Sequence, residues 1–132
     1  MDDHMKKIRL AILLLFVSSL ACADEFPPRT KDYDRCIAKA GVVEPMVLEC
    51  LGDEYTRQDN RLNAAYRKLM ISLKGERKKQ LLEAQRLWGK YTEANCGFYY
   101  DPDGGTSAVM LSVECGVTAR IERTSELEQF SK

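Results

Sequence analysis

The sequence predicts an all-α domain: two long antiparallel helices flanked by a shorter helix at each end, stapled by two disulfides. Three observations lead there. Apolar residues recur at steps of three or four over long stretches, no alternating run is long enough for a strand, and four Cys follow an export-type leader in a short chain.

The leader comes first. Met5, Lys6, Lys7 and Arg9 form a basic start, Leu10 to Leu20 an apolar run, and Ala21-Cys22-Ala23 an A-x-A site. That order describes a secretory signal over residues 1–23. The run is too short for a bilayer, which needs about 20 apolar residues, and no later segment comes closer, so no membrane span is expected. Cys22 admits a competing reading as a lipidated Cys, but Ser19 stands where lipoprotein signals usually carry Leu. Cleavage after Ala23 is therefore preferred to a lipid anchor, and the mature protein is expected in the periplasm or medium.

Residues 24–132 remain, 109 of the 132, with 17 basic and 18 acidic side chains and a net charge of −1. One domain with one core is the expectation at this size. So even a balance argues against nucleic acid as a ligand. The basic stretch from Arg67 to Lys79 reads as a solvated helix end.

Asp24 to Thr30, with Pro27-Pro28, is an extended lead-in. Thr30 or Lys31 to Ala40 makes a short helix, and Gly41 stands where a helix terminus wants positive φ. A long helix runs from Pro45, suited to a first turn, to about Lys74. Its face carries Leu51, Tyr55, Asp59, Leu62, Tyr66, Leu69 and Leu73, and Gly52-Asp53 is a place where it could be dented. Gly75 separates it from a third helix, Glu76 to about Asn95, with Leu81, Leu82, Gln85, Trp88, Tyr91 and Thr92 towards the inside. "CGFYYDPDGGTS" then breaks the pattern with strong turn chemistry at Pro102-Asp103-Gly104-Gly105. A last helix from about Thr106 carries Val109, Met110, Val113, Val117, Ile121 and Leu127.

Cys36, Cys50, Cys96 and Cys115 in an exported small domain read as two disulfides. Three pairings are possible. Cys36–Cys50 and Cys96–Cys115 are preferred, since each pair brackets one turn between neighbouring helices. A metal site is not expected, because the only His is His4 and the Cys lack close C-x₂-C spacing.

Several motifs now stand together: a Cys ahead of a long helix, "DNRLNAAY" from Asp59, "AQRLW" from Ala84, Cys96, "GGTS" from Gly104, Cys115, and Arg123 four before Leu127. The combination resembles the small exported domain family named for the lysozyme inhibitor LprI, over Cys36 to Leu127. One departure lies in the last helix, where Arg120 holds a place the family tends to give to Thr. The resemblance implies an all-helical periplasmic or cell-surface domain, with lysozyme inhibition as a function to be tested.

Enzyme chemistry finds little to use. Without His in the mature chain, Ser-His-Asp and Cys-His activation are both unavailable, no phosphate-cradling or calcium-loop motif is present, and no carboxylate pair is singled out for glycosidase chemistry. No cofactor is expected. Two groups of residues remain as candidates. Asp59, Asn63, Gln85, Arg86 and Arg123 form a polar set along apolar stripes, read as a buried network that fixes helix register, with Arg86 or Arg123 as the bidentate partner of Asp59. Phe98, Tyr99, Tyr100, Asp101 and Asp103, in the loop closed by the second disulfide, are the candidate contacts for a protein partner. Three aromatics in a row cannot all point inwards.

Overall fold

The computed structural model describes residues 29–131, so the predicted leader and Cys22 lie outside the described residues. Four helices follow one another: α1 (Lys31–Ala40), α2 (Glu44–Ser72), α3 (Gly75–Phe98) and α4 (Gly105–Gln129). The described residues contain no strand and no helix long and apolar enough to cross a membrane. The all-α class is as expected, and so are both disulfides, Cys36–Cys50 and Cys96–Cys115, with Cα atoms 5.7 and 5.4 Å apart. The proportions differ at the C-terminus. There the last helix, expected as a short flank, runs for 25 residues.

Local signals explain most boundaries. Thr30 caps α1, its hydroxyl accepting from the Tyr33 N–H, and Asp32 and Asp34 sit in the first turn, where the helix dipole favours negative charge. Gly41 at φ 59° ends it. Pro45 lies in the first turn of α2. That helix passes through Gly52-Asp53 without a break, its ladder carrying only a side-chain bond from Thr56 to the Gly52 carbonyl. Leu73 and Lys74 are both extended, which separates α2 from α3.

Cross-helix pairs give the directions. Tyr55 meets Gly116 and Asp59 meets Arg120, so α2 and α4 run parallel; Cys96 joins Cys115 and Gln85 meets Arg123, so α3 runs antiparallel to α4. It follows that α2 and α3 are antiparallel, as the sequence predicts. They are not, however, a closely packed hairpin. The last helix is the central one, packed on both α2 and α3, while α1 folds back on the start of α2 under Cys36–Cys50. Gly116 permits the close approach, since a Cβ there would lie 2.7 Å from the Tyr55 ring.

The core centres on Leu62, Ala65, Leu69 and Leu127, with Tyr66, Leu73, Leu81 and Trp88 against it. The face that α2 buries is Leu51, Glu54, Gln58, Leu62, Ala65 and Leu69. It shares Leu51, Leu62 and Leu69 with the sequence reading but replaces Tyr55 and Asp59 by Glu54 and Gln58. On α3, Leu82 and Tyr91 are exposed rather than inward. The buried stripe is narrow there because α3 has only α4 beside it for most of its length.

Glu54 is fully buried. Its carboxylate accepts from the Thr30 N–H at 3.0 Å, the Thr30 hydroxyl, Arg57 Nε at 2.9 Å and Gln58 Nε2 at 2.7 Å. The lead-in is thus fastened to α2 through Thr30. It is fastened to α4 by the ion pair of Arg29 with Glu114, and the Arg29 guanidinium lies 5.3 Å from the centre of the Tyr33 ring.

Candidate partner-binding site

The end of the molecule where α3 turns into α4 is built from the second disulfide outward. Cys96 lies within α3, which continues to Phe98, three residues beyond the predicted end, so the connecting loop is only residues 99–104. The Tyr99 N–H donates to the Cys96 carbonyl and the Tyr100 N–H to the Gly97 carbonyl, closing the helix. Asp101 then folds the loop: its Oδ1 accepts from the Asp103 N–H at 2.9 Å and its carbonyl from the Gly104 N–H at 3.0 Å. Gly104 is needed at this bend, because a Cβ there would lie 2.7 Å from that of Ala108.

The predicted contact residues share this corner. Phe98 is 88 % exposed, Tyr99 and Tyr100 about half exposed, and Asp101 and Asp103 exposed. Phe98 and Tyr99 meet edge to face with ring centres 6.4 Å apart. None of the three aromatics is withdrawn into the core, and the disulfide ties the α3 end of the loop to α4. Large aromatics on a pre-shaped corner can contribute contact area with little entropy left to lose.

The predicted polar network is divided by the central position of α4. Asp59 pairs with Arg120 Nε at 2.8 Å and also accepts from Asn63 Nδ2 at 2.9 Å. Arg120 in addition donates to the Gly116 carbonyl at 3.1 Å, its guanidinium 3.8 Å from the centre of the Tyr55 ring. Separately, Arg123 Nε donates to Gln85 Oε1 at 3.0 Å and its Nη1 pairs with Glu126 at 2.8 Å. Arg86 joins neither group. It pairs within α3 with Glu83 on the exposed side, and that hydrogen bond and charge hold the Glu83 carboxyl below its usual range. The reason is one of placement: α4 stands between α2 and α3, so Asp59 finds its cation there. Arg120 was legible as the departure from the family pattern, and Glu54 carried no sequence signal beyond its i, i+4 spacing to Gln58.

This arrangement makes a direct prediction. Asp59→Ala leaves the largely buried Arg120 without its carboxylate and should cost about 1–3 kcal/mol, whereas Arg86→Ala should leave the midpoint of a urea unfolding curve unchanged. Equal effects of the two substitutions would contradict this division of the network.

Two of the cavities beside α4 lie near the predicted residues. One, of about 390 Å³, runs between α3 and α4 past Trp88, Tyr91, Tyr99 and Leu111; the other, of about 610 Å³, opens between all three long helices past Tyr55, Gly89, Gly97 and Arg120. Among the described residues no group of His, Cys, Asp and Glu side chains has metal-binding geometry.

Comparison with known proteins agrees with the motifs and the geometry. No curated protein and no solved structure matches the chain. The family model described as lysozyme inhibitor LprI matches residues 36–127, from the first disulfide Cys to the core Leu127. With four helices and two disulfides among the described residues and a match over most of its length, the chain belongs to the LprI lysozyme inhibitor family.

Proposed function

We propose that the chain is an exported, non-catalytic binding protein that inhibits a cell-wall hydrolase of lysozyme type by occupying its substrate cleft. The observation that carries this reading, beside the family, is the exposed aromatic corner Phe98-Tyr99-Tyr100 held by Cys96–Cys115 next to Asp101 and Asp103. Interfaces draw their binding energy from a few such aromatic anchors, and carboxylates at the rim favour a basic partner. Two disulfides suit an oxidising compartment outside the cytoplasm, in keeping with residues 1–23 as a signal. Nucleophile activation by His has no base outside the predicted leader, as the single His of the chain is His4.

The near-zero net charge of residues 24–132, −1, supports a second reading, an envelope interaction module with another protein partner. An inhibitor that depended on long-range steering would be more acidic. A lysozyme activity assay with purified, oxidised protein separates the two: loss of activity near a one-to-one ratio supports inhibition, and full activity in excess protein supports the other partner.

Replacing Tyr99, Tyr100 and Asp101 together by Ala or Ser should abolish binding while leaving helicity and the unfolding midpoint nearly unchanged. All three are exposed, and only the Asp101 turn bond and the Phe98–Tyr99 ring contact are lost. A folded triple variant that binds as well as the wild type would remove this corner from the interface.

A further inference from the structure

We propose that the groove between α3 and α4 receives a basic side chain, Arg or Lys, from an extended segment of the protein partner. The proposal rests on the reading of the chain as a protein-binding module but does not require lysozyme to be the partner. The groove is continuous with the aromatic corner through Tyr99, which belongs to both. The α3 wall is aromatic, with Trp88 half-buried and Tyr91 66 % exposed, and on α4 Leu111 is 56 % exposed. A core would withdraw these side chains, and here they line open space of about 390 Å³.

The other wall is acidic. Glu114, Glu122 and Glu126 line the groove against one cation, Arg123, which is already engaged by Gln85 and Glu126. Glu114 is held by Arg29, while Glu122 is exposed and makes no ion pair among the described residues. From Leu111 to Glu126 the groove follows α4 for about 22 Å at roughly 1.5 Å per residue, enough for about six extended residues at roughly 3.3 Å each. Aromatic faces beside a free carboxylate are the surroundings that attract a guanidinium or ammonium group, by cation–π attraction and a charge-assisted hydrogen bond together. Charge is what favours a cationic peptide over a neutral sugar, which would stack on the same rings but leave the excess of carboxylates unanswered.

Trp88 is the only Trp in the chain and lies on the groove, so its fluorescence reports occupancy directly. Titrating the full oxidised protein with a hexa-arginine peptide should change the emission saturably, and a hexaserine peptide should not. Glu122→Gln and Tyr91→Ala, both on exposed positions, should each weaken the hexa-arginine response about ten-fold while leaving the unfolding midpoint in place. A response untouched by both substitutions would put the peptide elsewhere, and no response at all would discard the groove. A titration by an N-acetylglucosamine tetramer in place of hexa-arginine would show the occupant to be a saccharide and overturn the proposal. Lysozyme has no part in this measurement, so an absence of inhibition leaves it standing. Conversely, undiminished lysozyme inhibition by the Tyr91→Ala and Glu122→Gln chains would discard the groove and keep the inhibitor.

Discussion

Glu54→Ala should destabilise the protein by about 3–5 kcal/mol, because removing one partner of a buried charged cluster leaves the others without theirs. The donors left behind are the Thr30 N–H and hydroxyl, Arg57 Nε and Gln58 Nε2, all drawn onto a carboxylate that is 0 % exposed. The loss should be visible at both ends of the cluster. Hydrogen exchange should accelerate at the start of α1, whose cap is the same Thr30, as well as within α2.

The same residue sets a pH dependence. Burial is the largest single influence on its carboxyl and favours the neutral form, yet the hydrogen bonds from Thr30, Gln58 and Arg57 together outweigh it and hold the pKa below the ordinary value near 4.5. A group depressed in the folded state contributes its stabilisation in full above its unfolded pKa and loses it as the pH falls through the folded one. Stability should therefore decline below roughly pH 4.5, and Glu54→Gln should flatten that decline. Urea unfolding at a series of pH values measures it. An acid slope identical in wild type and Glu54→Gln would assign the effect to other carboxylates.

Removing the second disulfide as Cys96→Ser with Cys115→Ser should cost about 3 kcal/mol in the chain-entropy model for a loop of this size. Its consequence for binding should exceed its consequence for stability. The helix α3 packs mainly on α4, and along that contact the disulfide is the covalent tie beside the Gln85–Arg123 hydrogen bond. Without it the end of α3 is free to separate from α4, and both the aromatic corner and the groove lose their shape. Cys36→Ser with Cys50→Ser opens a loop of comparable length, a separation of 14 against 19 residues. It should therefore cost a similar amount of stability while leaving binding intact, since α1 touches neither feature. Thermal unfolding and partner titration of the two double variants decide the matter. Equal binding losses would show that the corner is held by something other than Cys96–Cys115.

What is legible in the sequence follows the local rules of the chain. Steps of three and four brought out all four helices, Gly41 and Gly104-Gly105 marked their limits, and the placing of each Cys pair around one turn led to both disulfides. The exposure of Phe98, Tyr99 and Tyr100 was foreshadowed by a stretch too short and too aromatic to fold back entirely. Two parts of the candidate site were less accessible. The groove needs Tyr91 and Leu111, from different helices, to line one cleft, and Tyr91 falls on a stripe that periodicity alone assigns to the interior.

The sequence by itself determined that this protein is helical, where its helices begin and end to within a few residues, and which Cys pairs close its turns, because capping groups, turn residues and apolar spacing act within a few residues of one another. Only the tertiary structure decided that α4 would be the central helix. With that placement came the rest: Asp59 is answered by Arg120 rather than Arg86, and Gln85 by Arg123. Glu54 and Gln58, not Tyr55 and Asp59, are the fully buried positions of α2. For Glu54 the reason is that a buried carboxylate must find donors, and beside Arg57 and Gln58 of its own helix it draws on Thr30, across 24 residues of chain. No spacing along a single helix records that convergence.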